Sequence, residues 1–119
     1  MKAEIILFSL NDSKDQTVEF DIPEFDDLKE AAERAYYMMQ RIDEEPCLVD
    51  QLGCRSMMVG DLIEINNKLF IVDLMDCVEV EEWQARNWCE YVDPCHRLMG
   101  WKWCVQQFQY MFQLYKREV

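Results

Sequence analysis

The chain has 119 residues, half of them hydrophobic, and carries 24 Asp and Glu against 12 Lys and Arg, a formal net charge of −12. That length fits a single domain over residues 1–119 with a core that needs no staples, and the apolar content argues against a disordered chain. The charge argues against duplex nucleic acid or an anionic membrane as a direct partner, since both must be met by Lys and Arg.

The charge is also unevenly placed. Residues 1–50 hold 14 acids against 5 bases, residues 51–83 hold 7 against 2, and residues 84–119 hold 3 against 5. An acidic front and an aromatic, slightly basic rear favour a basic partner, and basic protein surfaces often bind nucleic acid.

In chain order, residues 3–10 and 17–22 read as a β-hairpin. Val18, Phe20 and Ile22 alternate with Thr17, Glu19 and Asp21, and the segment Asn11 to Asp15 has turn chemistry. Phe25, Leu28, Ala32, Ala35, Tyr36, Met39 and Ile42 form one apolar stripe at helical spacing. Asp26, Asp27 and Glu30 crowd the start of this helix, where its dipole favours negative charge. Glu44, Glu45 and Pro46 end it.

Residues 47–56 read as a loop broken at Gly53. A second hairpin follows, Met58 to Ile65 and Leu69 to Asp73, joined by Asn66-Asn67-Lys68. Residues 76–80 read as a short strand, and Glu81-Glu82-Trp83 opens a helix to about Tyr91. Asp93-Pro94 starts a last helix, kinked at Gly100, with Cys104, Val105, Phe108, Met111, Phe112 and Tyr115 on its apolar side. The expected fold is α+β, in the order β-β-α-β-β-β-α-α. Its antiparallel sheet has two hairpins and a short strand, packed by one central helix and two C-terminal helices.

The segment from Ser56 through Val59-Gly60-Asp61, the paired aliphatics Leu62-Ile63, the Asn66-Asn67 turn and the strand Leu69 to Asp73 resembles YodL-like domains, small modules frequent in phage and mobile-element proteins. The resemblance spans about residues 56–80, with Leu74-Met75-Asp76-Cys77 standing where the pattern has a Gly-aromatic step. It implies a phage or mobile-element origin and no catalytic residues.

Catalytic chemistry finds little support. His96 is the only histidine, its neighbour Cys95 points elsewhere on a helix, and no Gly-x-Ser-x-Gly signature is present. With glycines only at 53, 60 and 100, no phosphate-cradling loop can form. The paired carboxylates Asp26-Asp27, Glu44-Glu45 and Glu81-Glu82 read as a charged exterior. Cys89, Cys95, His96 and Cys104 could assemble a metal site, but their spacing lacks the close Cys pairs of structural zinc sites.

The opening Met1-Lys2-Ala3-Glu4 and Ile5-Ile6-Leu7-Phe8 lack the features of a signal peptide, and no apolar run approaches the ~18 residues of a membrane span. A cytoplasmic protein with reduced thiols is expected, in the host cytoplasm if the chain is phage-encoded.

The expectation is a non-enzymatic inhibitor or adaptor without cofactor. It would occupy a basic surface of a nucleic-acid-processing, defence-type host enzyme. Asp12, Asp15, Asp26, Asp27, Glu30 and Glu33 would stand in for phosphates, with Trp101 and Trp103 as apolar anchors. The alternatives are a homodimeric regulatory module joined through the aromatic C-terminal helix, and a metal-binding protein using Cys89, Cys95, His96 and Cys104.

Overall fold

A computed structural model describes residues 1–9, 14–40 and 47–108. Asp12, the end of the expected central helix beyond Gln40, and Met111, Phe112 and Tyr115 lie outside the described residues.

Five strands form one antiparallel sheet: β1 Lys2–Leu7, β2 Gln16–Asp21, β3 Leu62–Ile65, β4 Lys68–Val72 and β5 Cys77–Val80, in the spatial order β2-β1-β3-β4-β5. Five helices accompany it: α1 Leu28–Met38, α2 Leu48–Leu52, α3 Glu82–Tyr91, α4 Pro94–Arg97 and α5 Trp101–Gln107. This is the α+β class expected, with strands and helices in the anticipated order.

Side-chain alternation divides the sheet into two faces. Ala3, Ile5, Leu7, Ile63, Ile65, Phe70, Val72 and Cys77 pack with Ala31, Ala32 and Ala35 of α1 and Val49 of α2. On the opposite face Leu62, Ile71 and Val80 pack with Ala85, Trp88, Trp101 and Cys104 of the C-terminal helices. Alanines on α1 let its backbone approach the sheet closely. The Asn66-Asn67 turn takes positive φ at both residues (50° and 65°), the geometry of a two-residue hairpin whose twist matches its strands.

Two local features differ from the sequence reading. The 47–56 segment contains the helical turn α2, capped by Gly53 at φ 67°. It is too short for periodicity to show, yet Leu48, Val49 and Leu52 bury into the first core. The last helix is two helices rather than one kinked rod. Gly100, at φ 96°, ends the turn after α4 and starts α5. Gly100 has no side chain to cap α5, and Asp73 does so from the β4–β5 turn: its Oδ2 accepts the Lys102 N–H at 3.2 Å and its Oδ1 the Leu74 N–H at 2.8 Å.

A buried polar hub locks the opposite strand ends. Asp61, 0% exposed, accepts from the Phe8 and Met58 backbone N–H groups and from both guanidinium nitrogens of Arg55 at 2.8 Å. Burial pushes its carboxyl above the ordinary range, against the opposing pull of Arg55. Arg55 and Arg97 each lie over the Phe8 ring, at 5.3 and 5.2 Å. Among the described residues, no helix is long and apolar enough to cross a membrane.

Candidate acidic interface

The register brings together carboxylates that are far apart in sequence. Glu4 of β1 lies opposite Glu19 of β2 on one side and opposite Glu64 of β3 on the other. Glu64 in turn faces Leu69, which faces Val80. One row across the sheet therefore reads Glu19, Glu4, Glu64, Leu69, Val80. Alternation puts all five on the face shared with Ile6 and Leu62; Ile6, Leu62, Leu69 and Val80 pack with residues of α3 and α5, and Glu19, Glu4 and Glu64 lie outside that cluster. Glu19 is exposed, and Glu4 and Glu64 are half-buried.

Backbone pairing fixes how close these groups stand. Met1 and Ile22 exchange hydrogen bonds (2.9 and 2.8 Å), so Ala3–Phe20, Ile5–Val18 and Leu7–Gln16 are the hydrogen-bonded pairs of this ladder. Glu4–Glu19 is then a non-hydrogen-bonded pair, whose Cα atoms approach to about 4.5 Å, and Glu4–Glu64 a hydrogen-bonded one at about 5.5 Å. Like charges directly opposite destabilise a sheet.

Little offsets them. Among the described residues the row makes one ion pair, Lys2 Nζ to Glu19 at 3.8 Å, with both side chains more than half exposed. The cations of the rear helices are engaged elsewhere. Lys102 binds Asp76 at 3.3 Å, Arg86 binds Glu82 at 3.4 Å, and Arg97 donates to the Val92 and Cys89 carbonyls. Beyond Glu64 the row opens into a groove of about 610 Å³ lined by the acids Glu64, Glu79, Glu81 and Glu82 together with Leu69, Val80, Asn67 and the cation Lys68.

The residues singled out from sequence fall in several places. Asp15 precedes β2 and accepts the Ser9 N–H at 3.1 Å. Asp27 caps α1 through the Lys29 N–H at 2.9 Å, and Asp26, Glu30 and Glu33 are exposed on or beside that helix. α1 covers the face opposite the carboxylate row, so these acids form a separate surface. Trp101 is 7% exposed and packs against Trp88 with ring centroids 5.4 Å apart, which makes it a core group. Trp103 is half-buried, 6.0 Å from the His96 ring and 6.5 Å from Phe108.

Cys89 and Cys95 are exposed, whereas Cys104 is buried and donates its Sγ–H to the His96 carbonyl at 3.1 Å. Among the described residues, no group of three or more His, Cys, Asp or Glu is arranged to hold a metal ion.

Sequence reasoning singled out neither Glu4, Glu19 and Glu64 of this row nor Glu81 and Glu82 of the groove. The available signal was a polar residue inside each of two otherwise apolar strands, β1 and β3. Comparison with known protein families, characterised proteins and solved structures finds no match for this chain.

Proposed function

We propose that this chain is a small, non-enzymatic acidic binding protein of phage or plasmid type, laying the carboxylate row of its sheet on a basic, nucleic-acid-binding surface of a host protein. The observation that carries the reading is the row Glu19–Glu4–Glu64, three carboxylates aligned across neighbouring strands with Lys2 as their one ion-pair partner among the described residues. The strands that carry these charges lie about 4.8 Å apart, and a nucleic-acid strand carries one charge per about 3.4 Å of rise. A surface built to receive phosphates would meet a similar line of negative groups and be blocked by it. The acids of α1 extend the negative field that draws in a basic partner. The phage or plasmid origin rests on the YodL-like pattern of residues 56–80.

The test is affinity capture from a bacterial lysate at low salt, eluted with a salt gradient. A parallel column carries the triple variant Glu4→Gln, Glu19→Gln, Glu64→Gln. Basic nucleic-acid-binding proteins should elute later from the native column. Identical elution from both columns would remove the row from the interface.

A further inference from the structure

The row ends on a strand with one side unpaired. β2 is the outermost strand next to β1, six residues long, without proline and in continuous register from Gln16 to Asp21. Because Gln16, Val18 and Phe20 bond to β1, Thr17, Glu19 and Asp21 direct their N–H and C=O groups outward from the sheet. All three residues are exposed, and among the described residues these backbone groups have no hydrogen-bond partner. Such an edge is a template for another strand.

We propose that β2 receives an extended segment of the basic partner as a sixth strand, with Lys or Arg at alternate positions facing Glu19 and Asp21 and apolar residues between them. This rests on the reading of the carboxylate face given above and names how the partner engages it.

Charge selects the occupant. On one face the incoming strand meets Thr17, Glu19 and Asp21, and on the other it meets Val18 and Phe20, half-buried against the first core. A strand that alternates basic and apolar residues matches both faces at once. A second copy of this chain does not. Antiparallel pairing of β2 with itself about Glu19 would set that acid opposite its own equivalent, and a two-residue shift would set it opposite Asp21, where like charges oppose association. The same acids therefore deter self-assembly and favour a basic strand. Main-chain hydrogen bonds would supply affinity and the alternate side chains specificity, as in other strand-addition complexes.

The test uses an acetylated peptide of alternating lysine and valine and a control of the same composition with lysines and valines in separate blocks. Binding to the whole protein is followed by residue-resolved amide hydrogen exchange. The alternating peptide should bind at least tenfold more tightly than the block peptide. It should slow exchange at Thr17, Glu19 and Asp21 while leaving Val18 and Phe20, already bonded to β1, unchanged. Thr17→Pro removes one outward N–H at a position where an edge strand tolerates proline, with no change in charge. It should lower the alternating peptide's affinity at least tenfold.

Binding without protection at residues 17, 19 and 21 would overturn strand addition and leave the acidic-face reading standing. Failure of both peptides to bind at low salt would overturn the two together. Protection of these amides by protein concentration alone would assign the edge to a second copy and likewise overturn the proposal.

Discussion

Glu4→Gln should make the protein more stable. Glu4 sits between Glu19 and Glu64, and a glutamine of the same length keeps the strand packing while removing both repulsive pairs. Carboxylates about 6 Å apart repel by roughly 0.7 kcal/mol per pair in water, and by about half that at physiological ionic strength, where the Debye length is about 8 Å. Two pairs give an expected gain of about 0.5–1.5 kcal/mol, consistent with the ~0.2–1 kcal/mol typical of cross-strand pairs. For a chain of this size that is a rise in Tm of roughly 2–6 °C. The assay is urea unfolding at low salt and again in 1 M salt, where a Debye length of about 3 Å should erase most of the gain. The same variant should bind a basic partner less well. A loss of stability at low salt, or a gain that survives 1 M salt undiminished, would refute the electrostatic reasoning.

Three further outcomes follow from the packing. Gly100→Ala should cost about 2–3 kcal/mol in urea unfolding, because its Cβ would lie 2.3 Å from Asp73 Oδ1 at a φ of 96°, forcing strain and breaking the cap on α5. Asp61→Ala should cost about 3 kcal/mol, since it strands Arg55 and the Phe8 and Met58 N–H groups. Asp76 is held below its ordinary value of 3.8 by the Lys29 hydrogen bond first, with Lys102 adding to it. A depressed folded value means its contribution is complete above the ordinary carboxylate range and is lost as pH falls through the folded value. The stability difference between wild type and Asp76→Asn should therefore shrink on acidification, and a difference that grows would contradict the bridge.

The five strands and the longer helices α1 and α3 were legible in sequence because each carries its own local signal, which the short α2 does not. Alternation marks β2, the alanine stripe marks α1, and Asn66-Asn67 marks the hairpin between β3 and β4. The carboxylate row was not legible for a physical reason. Glu4 and Glu64 lie sixty residues apart and become neighbours only through the β1–β3 pairing, which no local pattern dictates. Acids dense in sequence, such as Asp26, Asp27 and Glu30, drew attention to α1, yet that helix and the row occupy opposite faces. Trp101 reads as an anchor by residue type, but Gly100 and Asp73 fix α5 so that it turns inward onto Trp88. The split at Gly100 depends on the Asp73 carboxylate, which approaches from a turn distant in sequence.

The central claim is that the carboxylate row of the sheet steers and seats a basic protein. Its most direct measurement is the association rate of a captured basic partner with wild type and with the Glu4→Gln, Glu19→Gln, Glu64→Gln variant, from low to physiological salt. Steering by this row predicts a wild-type rate that falls at least tenfold as salt rises, and a variant that starts slower at low salt and falls less steeply, the acids of α1 supplying the remaining salt dependence. Equal rates for the two proteins at every salt concentration would contradict the account.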